Sequence, residues 1–291
     1  MATTFTKNTF GVTYKDDFAD SDNYHRILFN SGRAVQAREL TQSQTITQEE
    51  IARFGRHVFK DGAAVNPGGP TVDNSYEFVK LSSAITDDQV TSLVGLEFTG
   101  ATSSIKARVI KVAQAVTDTS LSELSASVSA TGDPATIFVQ YTDTGTSGLG
   151  GTAPVRFTPG ENITSGATTL TVQSTNTTAN PATGQGTLIS NASGTFFVRG
   201  HFVFAKEQSI LLRKYSKFPT EVVGFVVTED IVTFADDTAL YDNQGAVPNT
   251  TAPGADRYRI NLTLTRKSDV TGTQNFVFYC SIVAGEIVEQ V

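Results

Sequence analysis

Histidines, clustered carboxylates and a single cysteine are the residues of this sequence whose chemistry could be put to use. His25, His57 and His201 lie far apart, and none has a second His or Cys at metal-ligand spacing, so no zinc site is expected. His57 follows Arg56 in a helix-forming stretch and reads as a surface residue, while His201 sits among phenylalanines and reads as structural. Asp16, Asp17, Asp20 and Asp22 make an acidic cluster. A calcium loop of the EF-hand type begun at Asp16 needs Gly and Glu where the chain has Ser21 and Ile27, so the cluster reads as a solvated acidic turn. Asp236, Asp237 and Asp242 share a long loop, 235–257, and could pair as catalytic carboxylates. Acidic loop residues are more often turn formers, and nothing in the sequence positions these three. Cys280 falls in the apolar run Phe276–Cys280 and reads as a buried small hydrophobe; as a lone cysteine it forms no intrachain disulfide. Gly145–Gly151 lacks the Lys-Ser/Thr and the strand-to-helix setting of a phosphate cradle, and no G-x-S-x-G elbow occurs. Each candidate is better explained without catalysis, so the chain reads as non-enzymatic, with no cofactor and no metal.

The elements around these residues read as mainly β. Thr and Gly are abundant and charged residues are only 18%, a composition that favours strands and turns. The formal charge of −7 argues against a partner such as nucleic acid, whose binding rests on Lys and Arg. Arg33, Arg38, Arg53 and Arg56 place positive charge on one segment, but Glu39, Glu49 and Glu50 dilute it. The N-terminus lacks the basic and apolar regions of a signal peptide, and no apolar run is long enough to span a bilayer, so no membrane insertion is expected.

One segment stands apart. Residues 33–60 hold good helix formers and no proline, with Ser31-Gly32 as a cap and Lys60-Asp61-Gly62 as the stop. The predicted helix is about 40 Å long. Along it Ala37, Leu40, Gln44, Thr47, Ile51, Phe54 and Val58 recur at alternating steps of three and four, and Arg33 extends the register. Two readings of this stripe stay open. It is a helix–helix seam, in which the polar layer of Gln44 and Thr47 sets register and oligomer state. Or it is an amphipathic helix whose apolar ends pack on a β-domain.

The remainder divides into an extended N-terminal arm, 1–32, a main β-domain made of 61–90 and 188–291, and an inserted small β-domain, 91–187. Alternating runs such as Ile105–Val112 and Arg257–Thr265 read as half-buried strands. Short strands with regular turn signals point to sandwich or barrel domains.

Two stretches carry a resemblance. Phe29–Leu40 reads F-x-x-G-R-x-x-Q-A-R-E-L, and Ile51–Gly62 reads I-x-x-x-G-x-x-x-F-x-D-G. With Phe197–Val203, Tyr215–Pro219 and Thr228–Val232, they resemble an uncharacterised domain family found in tail and baseplate gene neighbourhoods of tailed phages, notably marine cyanophages. The similarity covers about 20–82 and 187–285. Phe157–Ile163 also resembles a short F-x-x-G-E-x-I motif of small β inserts in phage structural proteins. The resemblance implies a structural virion protein of the tail, in the baseplate or fibre-attachment region, assembled in the host cytoplasm. Its implied partners are other tail and baseplate proteins and copies of itself. It brings no catalytic residue. A receptor-binding module that reads a host glycan is the alternative, and would need exposed aromatics and carboxylates gathered in one concavity.

Overall fold

The computed structural model describes residues 10–11, 13–144, 156–242, 249–272 and 275–291. The glycine-rich stretch 145–151, the loop residues 243–248 and the side chain of Asp242 lie outside the described residues. The protein is mainly β with one long helix, α1 (Ala37–Val58). A short second helix, α2 (Asp87–Ser92), is closed by a capping box between Thr86 and Gln89. Among the described residues, no helix is long and apolar enough to cross a membrane.

α1 begins later than Arg33. Gly32 adopts φ +79° in a turn, and Gln36 is still extended. The cap is not Ser31-Gly32 but Gln36, whose backbone N–H donates to the Glu39 carboxylate at 2.8 Å.

The strands are β1 (Ala64–Asn66), β2 (Pro70–Lys80), β3 (Glu97–Gly100), β4 (Lys106–Ala113), β5 (Thr136–Asp143), β6 (Asn162–Ser165) and β7 (Thr168–Thr171). There follow β8 (Thr183–Asn191), β9 (Gly194–Val198), β10 (His201–Ala205), β11 (Gln208–Arg213) and β12 (Glu221–Val232). β13 (Tyr241–Asp242), β14 (Asn249–Pro253), β15 (Arg257–Arg266), β16 (Phe276–Val283) and β17 (Glu286–Gln290) complete them. An eight-stranded sheet runs β11-β8-β2-β5-β4-β3-β6-β7; a four-stranded sheet runs β15-β12-β16-β17; a three-stranded sheet runs β1-β9-β10. All their pairings are antiparallel. The sheets pack as sandwiches, and none closes into a barrel.

Two large apolar cores result. The first holds Val79, Phe98, Ile105, Ile137, Phe157, Ile163 and Val172. The second holds Phe196, Val198, Leu212, Val223, Phe225, Leu264 and Tyr279. Alternation explains the second: Val223, Phe225 and Val227 point inward from β12, opposite Leu262 and Leu264 of β15. A bulge in the β12–β16 ladder turns both Tyr279 and Cys280 into the core. Burial pushes the Cys280 thiol up to about 12, so it stays protonated. The cores are not separated by linkers. β2 runs through both bodies, with Val79 facing the first core and Val72 the second; beside it Ala182, just before β8, faces the first and Ile189 of β8 the second. The irregularity between Asp73 and Tyr76 marks the change from one to the other.

The F-x-x-G-E-x-I stretch is part of the first core. Glu161, 5% exposed, accepts from the backbone N–H groups of Thr102, Ser103 and Thr158 and from the Ser103 hydroxyl. Four donors to one carboxylate tie the β3–β4 turn to the turn before β6, and a Cβ at Gly100 would overlap this cluster.

Candidate functional site

The long helix is held to the β-body at one junction, and its residues can be followed from the backbone upward. β9 and β10 form a hairpin whose turn is Arg199-Gly200, with φ +54° and +85°. Positive φ at both central residues is the two-residue turn that matches the twist of antiparallel strands. Asp61 caps this turn, accepting from the Arg199 N–H at 2.9 Å. Arg199 also pairs with Glu229 of β12, which anchors the hairpin to the four-stranded sheet. Gly62, at φ +95°, donates to the Phe197 carbonyl at 2.8 Å and lies against the carbonyl of Phe278. α1 sits on this platform through its smallest residues. Gly55 lies over the Phe197 ring, and Ala52 lies over Gly200. Phe59 closes the junction, its ring 5.7 Å from Phe197 and 5.8 Å from Phe202.

A second face of α1 carries the N-terminal arm. Arg38 reaches Asp17 at 3.1 Å, Gln42 reaches the same carboxylate at 3.1 Å, and Thr45 donates to Asp16. Arg53 meets Asp20 at 2.6 Å, and His25 lies 3.6 Å from Glu50. Asp16, Asp17 and Asp20 of the acidic cluster are therefore the arm's contacts with the helix, while Asp22 accepts from Ser21 beside it. Tyr14 continues the arm to Asp256 at 2.7 Å, and Phe10 packs edge-on against Tyr258.

The third face is the heptad stripe. At about 100° per residue it falls beside the seated face, on the side away from the arm. Arg33, Ala37, Gln44 and Thr47 are exposed, and Leu40, Ile51, Phe54 and Val58 are 53%, 46%, 68% and 54% exposed. The residues of α1 that are buried, Ile46, Ala52 and Gly55, belong to other registers. Packing of the stripe on the protein's own β-domain is thus not what the helix does; it buries Ile46, Ala52 and Gly55 and leaves Leu40, Ile51, Phe54 and Val58 in solvent.

The remaining candidates have local roles. Asp236 accepts from the N–H and hydroxyl of Thr233, which hold its carboxyl below the usual range, and Asp237 caps Ala239 at 2.9 Å. His201 is half-buried against Tyr258, and desolvation lowers its pKa. His57 is exposed. Among the described residues, no group of three or more His, Cys, Asp or Glu could hold a metal ion. An open groove of about 560 Å³ runs between β10 and β15, lined by His201, Phe202, Phe204, Asp237, Arg257 and Tyr258.

Sequence reasoning missed the mount. Its signals were present as Arg199-Gly200 between two apolar runs and as Asp61-Gly62 after the helix, but the pairing of Gly55 with Phe197 spans more than a hundred residues and has no local mark.

No curated protein and no solved structure matches the chain. One family model does, over residues 12–132 and 162–291, which takes in α1, its mount and most strands of both cores. The chain belongs to the family described as "Domain of unknown function (DUF4815)".

Proposed function

We propose that the chain is a structural component of a bacteriophage tail, in the baseplate or fibre-attachment region, which assembles through protein–protein contacts made by α1. The single observation that carries the reading is the exposure of Leu40, Ile51, Phe54 and Val58 along one face of a helix fixed by its other two faces. Apolar side chains in register on a rigid helix are what a helix partner buries. The resemblance of residues 24–62 to a family of phage tail neighbourhoods supplies the virion setting. The partners are other tail or baseplate proteins and copies of this chain; the polar layer of Gln44 and Thr47 at the middle of the stripe favours copies. Light scattering across a concentration series tests this with Gln44→Leu/Thr47→Leu. Filling a polar layer with leucine adds several buried CH₂ groups at ~0.8 kcal/mol each, so association should tighten at least about tenfold or change its stoichiometry. A molar mass identical to the parent at every concentration would remove copies of the chain from the partner list.

A glycan-reading module is the second reading, and the groove between β10 and β15 favours it. Phe204 is 63% exposed there, beside Tyr258, Asp237 and Arg257. Sugars stack on such rings and bond to such charges. Under this reading the protein binds a subset of a glycan array and Phe204→Ala loses that binding. Silence across the array would sink it.

A further inference from the structure

Lys80 ends β2 with its side chain fully buried. Its Nζ lies 2.7 Å from Asn180 Oδ1 and 4.1 Å from the centre of the Tyr215 ring, with the Phe78 ring at 5.5 Å. An ammonium has three protons to place. Here an amide oxygen and aromatic faces surround it, a poor exchange for water. Burial lowers the Lys80 pKa to about 8, with the charge of Asp133 opposing the shift, so a useful fraction is neutral amine near neutral pH. The two side chains cannot drift apart. Lys80 N–H donates to the Ala182 carbonyl at 2.8 Å, Gln173 N–H donates to the Lys80 carbonyl at 2.8 Å, and Asn180 and Thr177 exchange backbone hydrogen bonds. Asn180 is itself buried, 8% exposed, and Gln173 Nε2 makes a second approach to its Oδ1 at 3.4 Å.

We propose that Lys80 and Asn180 become joined by an intramolecular isopeptide bond. Cγ of Asn180 sits one bond behind Oδ1, so rotation about the Asn180 Cα–Cβ bond, with a shift of the Lys80 stem, carries Nζ from the oxygen to the face of that carbon. When Nζ moves to the carbon, Gln173 Nε2 is the donor that stays on Oδ1, where it polarises the carbonyl and stabilises negative charge that develops on the oxygen. Neutral Nζ adds to Cγ and the Nζ–Cγ bond forms. The Cγ–Nδ2 bond then breaks, the proton shed by Nζ is taken up by Nδ2, and ammonia leaves. No oxidant and no co-reactant enter. Asp133, fixed by Ser122, Glu123, Leu124 and Lys214, is no proton donor, since those bonds outweigh its burial and lower its pKa, and its charge favours the ammonium form of Lys80. The product replaces a buried cation with a neutral amide. It also locks the end of β2 to the segment leading into β8, where the sheet shared by both cores enters the first core.

Intact-mass spectrometry of the denatured full chain decides the matter. The protein should be one ammonia lighter than its sequence, and a protease digest should yield a branched peptide linking Lys80 to Asn180. Lys80→Met, which keeps the apolar volume and removes the amine, should return to the full sequence mass, as should Asn180→Ala. Recovery of Lys80 and Asn180 in separate linear peptides from the wild-type chain overturns the proposal, and this readout stands even where a variant fails to fold. Ammonia loss that persists in Lys80→Met overturns it too, because the lesion then lies elsewhere.

Discussion

Under the proposed association of copies through α1, the double variant Ile51→Asp/Phe54→Asp is expected to stay monomeric while unfolding within a few degrees of the parent protein. Both side chains stand on the solvent side of α1, and neither belongs to a described apolar core, so no packing is removed from the folded chain. Carboxylates in the C-terminal half of a helix meet its negative end, which costs about 0.3–1 kcal/mol in the last turn and less before it. In a helix–helix seam the same substitutions place charge where apolar surface is buried. An uncompensated buried charge costs about 3–5 kcal/mol, more than a hundredfold in association, and two of them exceed what a seam of three heptads returns. Sedimentation over a range of concentrations reads the association, and a thermal melt reads the fold. A melt that falls by tens of degrees would mean that the stripe packs inside the chain after all. An unchanged sedimentation profile from an associating parent would move the interface off α1.

The difference between these outcomes follows from what a single sequence can encode. The stripe was legible because heptad spacing is local: seven positions within one helix define it without knowledge of the rest. What covers the stripe was not, because an apolar stripe has the same spacing whether its partner is a β-sheet of the same chain or another helix. The strands were legible from alternation, as in Arg257–Arg266, and the bulge that buries both Tyr279 and Cys280 was not, because it breaks the alternation that reveals a strand. The acidic cluster was readable as something other than a calcium loop, yet its real partners, Arg38, Gln42, Thr45 and Arg53, are on another element. Lys80 was unmarked, and Glu161 was legible only as a letter of the Phe157–Ile163 motif, not as the buried acceptor of four donors. A buried lysine in an alternating strand looks like any solvent-facing lysine, and its burial comes from Tyr215 and Asn180, each brought to it by the sheet shared between the cores.

Gly55→Leu will detach α1 from the β-body, although leucine is by far the better helix former. Intrinsic propensity alone predicts stabilisation by about 0.8–1 kcal/mol. Packing opposes it. A Cβ at position 55 would lie 2.8 Å from Cζ of Phe197 and closer still to the ring edge. Phe197 is fully buried, with Phe59 at 5.7 Å and Phe202 at 5.4 Å, so its ring has no free rotamer to take. Overpacking of about 1–3 kcal/mol is typical where neighbours can shift. Here the neighbours are a hairpin with a fixed turn, and the cheaper response is for the helix to lift away. Hydrogen exchange should then quicken across Ala37–Val58 while the amides of β12, β15 and β16 keep their protection, and a protease should cut at Arg53 or Arg56. A higher melting point with a protected helix would refute the seat on Phe197. The companion change Phe197→Ala opens the volume that the leucine needs. In the double variant the two losses should sum to less than their separate values, with a coupling of about 0.5–3 kcal/mol that only direct contact between positions 55 and 197 produces. Association through the stripe should fall in Gly55→Leu and recover in the double variant, since a helix that is not seated no longer presents its free face in one orientation.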